Sequence, residues 1–143
     1  MNYKSLRPTL YILGLTALDQ ITKAFFAHRD FFLGFMKFHL VKNYGLSFGA
    51  NFGIVVNTII ILTAVTALIW YIGKFKFNSG FLLISAGAIA NLLDRLQLGY
   101  VRDFWDIGLG FTFNLADLYI IIGLLLLVLI HDEQRSIDKQ FVE

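Results

Sequence analysis

The polar residues of this 143-residue chain that could do chemistry stand where long apolar runs begin or end. Asp19, Gln20 and Lys23 close one run, Asn91, Asp94 and Arg95 close another, and Asn114 and Asp117 open a third. Asn43 and Asp103 lie in the stretches between. Carboxyls, carboxamides and fixed cations are the equipment of general acid–base catalysis. An ionised carboxylate takes a proton from water, and a protonated one returns it or hydrogen-bonds a developing oxyanion. Two carboxyls held a few ångströms apart share a single proton, since like charges that close do not both ionise. The spacings are helical. Asp19 and Lys23 are i,i+4 with the acid first, the favourable order for an ion pair. Asn91 and Asp94 are i,i+3 and share a face. Asn114 and Asp117 have the spacing of a capping box, with a carboxylate in the positive first turn of a helix.

The elements that must position these groups are apolar. The chain is 57% hydrophobic and 15% charged, against about 45–50% and about 25% in a typical soluble domain. Four runs approach the ~20 residues that span a bilayer core: about 8–27, 54–73, 80–98 and 113–130. They predict an all-α integral membrane protein, a single domain over 1–143 built as a four-transmembrane-helix bundle. Lys4 and Arg7 before the first run resemble the start of a signal peptide. No small-x-small cleavage pattern follows before Asp19, so the run is read as a retained first span. Four spans put Asp19, Lys23, Asn91, Asp94, Arg95, Asn114 and Asp117 at one membrane face, together with both long connections. The first of these, surface segment 30–51, partly alternates from Phe35 to Val41 and carries Gly45, Gly49 and Gly53. It predicts a small β-rich element on the membrane surface. The second holds Trp105 and several Phe, an interfacial composition. Basic residues do not orient the bundle: Lys4, Arg7, Lys74, Lys76, Arg135 and Lys139 balance Lys23, Arg29, Lys37, Lys42, Arg95 and Arg102.

Composition also excludes. A net charge of +2 with no basic stripe argues against nucleic acid. With no Cys, disulfides and thiolate metal sites are excluded, and with His28, His39 and His131 scattered a His-based metal site is not supported; acid–base chemistry between two carboxyls needs no metal or organic cofactor.

Each group also has a plainer reading. Asp19–Lys23 suits a structural or substrate-positioning pair, Asp94 beside Arg95 an interhelical salt bridge, Asn114 a helix cap. Asp106 reads as a solvated loop acid and Asn57 as a helix–helix hydrogen-bonding group. Position alone leaves Asp103 and Asp117 open between a catalytic and a structural role.

Five short motifs resemble the lipoprotein signal peptidase (signal peptidase II) family in order and placement. Asp19-Gln20-Ile21-Thr22-Lys23 is similar to its D-Q-x-[ST]-K, and Asn43-Tyr44-Gly45-Leu46-Ser47-Phe48 to N-x-G-x-[SA]-F. Gly87 to Arg95 is similar to G-A-x-x-N-x-x-D-R, Val101 to Phe104 to V-x-D-F, and Phe113 to Asp117 to F-N-x-A-D. Arg102 departs from the pattern, standing where an apolar residue is expected, and the stretch from Asp103 to Asp117 is short. The resemblance implies an aspartic endopeptidase with Asp103 and Asp117 as the catalytic pair. Asp19, Lys23, Asn43, Gly45, Asn91, Asp94, Arg95 and Asn114 would support it or bind substrate. It implies cleavage of diacylglyceryl-modified prolipoproteins just before the lipidated Cys, and a place in the bacterial inner membrane. Both termini would be cytoplasmic and the site near the extracytoplasmic face. The expected partners are the prolipoprotein and membrane lipid, with the chain acting as a monomer.

Rival readings come from other classes. A small proton- or ion-coupled membrane carrier also uses intramembrane acids, but it needs ionisable groups across the full depth, and here they cluster at one face. A non-catalytic lipid- or peptide-binding subunit would not need both Asp103 and Asp117. No His falls in a span near a candidate serine nucleophile.

Overall fold

The computed structural model describes residues 3–45 and 78–140. Among the described residues three helices, α1 (Tyr3–Phe26), α2 (Ser79–Leu98) and α3 (Leu115–Gln140), accompany four strands. The strands are β1 (Phe31–Leu33), β2 (Met36–Asn43), β3 (Val101–Asp106) and β4 (Thr112–Phe113). They form one antiparallel sheet in the order β1-β2-β3-β4.

This corrects the expectation of an all-α, four-span bundle. Among the described residues only α2 is both long and apolar enough to cross a membrane, and the apolar part of α3, Leu115–Leu129, is shorter. The polar groups of α1, including Arg7, Asp19 and Lys23, interrupt its apolar character. The sheet is also larger than a surface hairpin. The second connection, read as an aromatic loop, supplies β3 and β4, and β3 pairs with β2 to join both connections in one sheet. The expected span 54–73, with Asn57, lies outside the described residues, as do Leu46, Ser47 and Phe48.

Local chemistry sets the ends of α2. The Asn78 side chain accepts the Phe81 N–H at 3.1 Å as an N-cap. At the other end Gly99 takes φ +79°, and its N–H closes on the Arg95 carbonyl. A residue with a side chain is strained there, which is why glycine ends the helix. α2 and α3 run antiparallel with their backbones nearly touching. A β-carbon added to Gly123 would lie 2.6 Å from the Gly80 carbonyl oxygen, and one on Gly87 would collide with that of Ala116. Small residues that let helices approach so closely are the usual adhesive where lipid removes the hydrophobic drive for association.

The packing is inverted relative to a water-soluble core. Fully buried positions include Asp19, Lys23, Asp94, Asp103 and Asn114. Exposed ones include Leu10, Leu13, Leu18 and Ile21 of α1, and Ile121, Leu124, Leu125, Val128 and Leu129 of α3. Apolar surface on this scale belongs against lipid. The sheet is tied to the helices by rings. Phe26, the last residue of α1, stacks on Phe38 of β2 and Phe104 of β3, and Trp105 links Phe38 to Phe113.

Gly123→Leu should overpack the α2–α3 contact, a change that typically costs about 1–3 kcal/mol. Thermal unfolding in detergent should show a clear drop in Tm, whereas Leu124→Ala, on the outward surface, should move it little.

Candidate active site

One helical face of α1 begins the site. Thr16, Asp19, Gln20 and Lys23 fall at i, i+3, i+4 and i+7, a stripe that points to one neighbour. Thr16 donates to the Ala86 carbonyl of α2 at 3.3 Å, and Gln20 Nε2 donates to the Ala90 carbonyl at 3.1 Å. The Lys23 ammonium has three acceptors: Asp19 Oδ2 at 2.8 Å, Asn91 Oδ1 at 2.8 Å and Asp94 Oδ2 at 3.5 Å. Three donors meet three acceptors, all fully or nearly fully buried. The other Asp19 oxygen accepts the Ala116 N–H at 2.8 Å, fastening α1 to the first turn of α3.

The expected capping box is present. Asn114 Oδ1 accepts the Asp117 N–H at 3.0 Å, and Asp117 Oδ2 accepts the Asn114 N–H at 3.1 Å. The same Asn114 does more than cap. Its Nδ2 donates to Asp103 Oδ1 at 2.6 Å and to Asn91 Oδ1 at 3.2 Å. Asn91 Nδ2 in turn donates to Asp117 Oδ1 at 2.9 Å. Two carboxamides therefore join Asp103 on β3 to Asp117 on α3.

The sheet places Asp103. In the β2–β3 ladder Val41 pairs with Asp103, after a register shift between Phe38 and Val41. Such a bulge re-aims a strand beside a site. Asn43, two residues along β2 from Val41, stands diagonally across from Asp103, and its Nδ2 reaches Asp103 Oδ2 at 2.9 Å. Its Oδ1 accepts the Gly45 N–H, while the Gly45 carbonyl accepts from Arg95 Nη2 at 2.9 Å. Arg95 lies near enough to Asp94, Asp103 and Asp117 to feel all three charges. Burial, and then the neighbouring Asp117, raise the Asp103 carboxyl from its ordinary 3.8 to about 6, against the amides of Asn43 and Asn114 and the charge of Lys23.

Asp103, Asp117 and the supporting residues expected from sequence (Asp19, Lys23, Asn43, Gly45, Asn91, Asp94, Arg95 and Asn114) occupy this one cluster, though not always with the expected partner. Asp94 does make an interhelical ion pair, but with Lys23; its strongest partner is Arg102, whose Nη2 lies 2.7 Å from Oδ1. Arg102 adjoins Asp103 in sequence, yet neighbouring side chains on a strand diverge, and it turns to Asp94. Asp106 stays apart and accepts the Gly108 N–H in a tight turn. Sequence reasoning gave Gln20 no role beyond its place in a motif, although it bridges Asp94 and Arg102. The signal was its i+4 spacing from Thr16. Among the described residues, the buried side-chain polar atoms without a partner are Trp105 Nε1 and the Tyr119 hydroxyl. The acid–amide–cation network itself is fully satisfied, the condition under which buried polar groups specify a single arrangement.

Charged groups sealed inside an apolar-surfaced helix pack, with a sheet closing one end, are the make-up of a membrane enzyme. Two solved structures of bacterial membrane enzymes have the same fold. One, determined in meso at 2.3 Å, superposes with a TM-score of 0.76 over 90% of this chain and 89% of its own, at 25% identity. The other, at 1.9 Å, gives 0.71 at 26% identity, over 85% and 90%. The family pattern of signal peptidase (SPase) II matches residues 11–131. The lipoprotein signal peptidase of Aquifex aeolicus is 34% identical over 140 residues, covering 89% of this chain and 83% of its own length. That of Caldicellulosiruptor bescii is 38% identical over 129 residues, covering 82% and 85%. The chain belongs to the signal peptidase II family, and it is a peptidase.

The Asp103 environment makes a pH prediction. Its folded pKa lies above the ordinary value, so the folded state binds this proton more tightly than the unfolded chain. The carboxyl therefore penalises folding once ionised, in full above about pH 6, and the penalty fades as pH falls toward 3.8. The stability of the native protein relative to Asp103→Asn should decline as pH rises through that window and level off above it. Chemical unfolding of both proteins in detergent at stepped pH measures the difference; a flat difference would refute the raised pKa.

Proposed function

We propose that this membrane peptidase removes signal peptides from lipoproteins by aspartic chemistry, with Asp103 and Asp117 as the paired acids. The observation that carries the reading is the carboxamide bridge. Asp103 and Asp117 come from different elements and are joined through Asn114 and Asn91. Charge supports it. Asp19, Asp94, Asp103 and Asp117 face Lys23, Arg95 and Arg102, so one proton held on the Asp103–Asp117 pair leaves the buried cluster neutral. A single shared proton is the resting state that such chemistry needs.

The ionised member takes a proton from water, and that water attacks the scissile carbonyl. The protonated member hydrogen-bonds the oxygen as negative charge develops there, and a proton then passes to the leaving amine. The protons belong to the pair rather than to either acid. Asn43 and Asn114 fix Asp103, Asn91 and the helix cap fix Asp117, and the donors stay in place without reorganising during the reaction. No metal or organic cofactor enters these steps.

The substrate in this reading is a prolipoprotein with a diacylglyceryl-modified Cys, cut just before that residue. Its acyl chains and apolar signal helix stay in lipid while water reaches the bond. α1 runs toward the site and α3 runs away from it, so both helices have their outer ends opposite the sheet. That puts the outer ends of both helices on the side opposite the site; the reading takes that side as cytoplasmic and the site as near the extracytoplasmic face of the bacterial inner membrane, in one domain. The chain is taken to act as a monomer in this reading. The carrier alternative is weaker: the cluster is confined to one end and sealed by paired groups.

The test is cleavage of a lipidated prolipoprotein by purified protein in detergent, read as a mass change. Asp103→Asn and Asp117→Asn should each abolish cleavage while the protein remains folded. Asp106→Asn, outside the cluster, should retain most of the activity. Full activity in either of the first two variants would remove the pair from the mechanism.

A further inference from the structure

We infer that Arg102 is a positioning residue for peptide cleavage: by holding Asp94 it leaves Lys23 free to fix Asn91 against Asp117. The inference rests on the reading of Asp103 and Asp117 as the reacting acids. Arg102 grips Asp94 from three atoms. Its Nη2 is 2.7 Å from Oδ1, its Nε 3.2 Å from Oδ2, and its backbone N–H 2.9 Å from Oδ2. The same Nη2 donates to Gln20 Oε1 at 2.8 Å, and Gln20 Nε2 donates back to Asp94 Oδ1 at 3.0 Å. Asp94 is thus satisfied from β3 and α1 together, and the fork geometry is one that only a guanidinium supplies.

Lys23 is the group at stake. It sits 3.5 Å from Asp94, but only 2.8 Å from both Asp19 and Asn91. Its hold on Asn91 Oδ1 orients that amide so that Nδ2 points at Asp117 Oδ1. Remove the Arg102 guanidinium, and a fully buried carboxylate keeps Lys23 as its one remaining cation within ion-pair distance among the described residues. An unpaired buried charge is costly enough to move a neighbour. The ammonium is drawn toward Asp94, Asn91 Oδ1 keeps only the longer 3.2 Å contact from Asn114, and the hold of Asn91 on Asp117 loosens. Arg102 never approaches the pair; it acts through Asp94, Lys23 and Asn91.

The charges around the pair give this a signature that loss of packing does not. Asp103 and Asp117 are faced by Lys23 from α1, Arg95 from α2, and Asn43 and Asn114 from β2 and the start of α3. Without Arg102, the Asp94 charge is no longer neutralised from β3. The extra negative potential favours the proton on the pair, so both limbs of the pH–activity profile shift to higher pH.

The experiment compares native protein, Arg102→Gln, Arg102→Lys, Asp94→Asn and the Asp94→Asn/Arg102→Gln double variant, all on the lipidated prolipoprotein. Arg102→Gln should lower kcat by roughly ten- to a hundredfold, as small misplacements of reacting groups do, with KM within about twofold and both pH limbs shifted upward. Arg102→Lys, which keeps the charge without the fork, should restore only part of kcat and bring the pH limbs back toward those of the native protein. The double variant should be more active than Arg102→Gln alone, because the carboxylate that pulls on Lys23 is gone. An unchanged pH profile with only a lower Tm would overturn the inference, as would additive losses in the double variant. If instead Asp103→Asn or Asp117→Asn stays active, the paired-acid reading fails first, whatever Arg102 does.

Discussion

A single ammonium, that of Lys23, is the contact on which the rest of the site depends. It is fully buried in a protein whose outer surface is apolar, where an unpaired cation is untenable, and it meets Asp19, Asn91 and Asp94 at once. Through Asp19 it links α1 to the first turn of α3. Through Asn91 and Asp94 it links α1 to α2. Removing one member of a buried ion pair commonly costs about 3–5 kcal/mol, a large part of the stability of a chain this small. The same contact that closes the helix pack sets the amide that reaches Asp117, so stability and chemistry rest on one set of side chains.

From that point the structure works outward in two directions. Toward the helices, close approach of glycines fixes α2 against α3, and the resulting contact seats Asp19 on the backbone of Ala116. Toward the sheet, the stacked rings of Phe26, Phe38 and Phe104 hold β2 and β3 over the end of α1. The bulge after Phe38 then turns Asp103 and Asn43 toward the same place. The acids are thereby presented by rigid elements rather than by loops, which is how a site keeps its geometry within a fraction of an ångström.

The sequence made the site more legible than the fold. Asp19, Lys23, Asn91, Asp94, Asn114 and Asp117 could be grouped because polar residues in apolar runs are expensive and their helical spacings are short-range facts. The cap of α3 was readable for the same reason. The sheet was harder. β1 and β4 have only three and two residues, too few for alternation to show, and the pairing of β2 with β3 joins segments about sixty residues apart. The partner of Arg102 was hidden for a related reason. Its neighbour in sequence is Asp103, but its partner is fixed by strand alternation and by the return of β3 past the end of α2. No local pattern carries that. The count of spans also failed, since α1 and α3 contain apolar runs of suitable length on paper but are broken or shortened by polar groups.

The two acids do not belong to the same kind of element: Asp103 rides on the sheet and Asp117 on a helix. Nothing within either element alone can bring the two carboxyls together. The amides of Asn114 and Asn91 join them only while the sheet stays docked on the helices. The seam between sheet and helix pack, closed by the stacked rings of Phe26, Phe38 and Phe104, is therefore the seam that keeps the two acids within reach of one another.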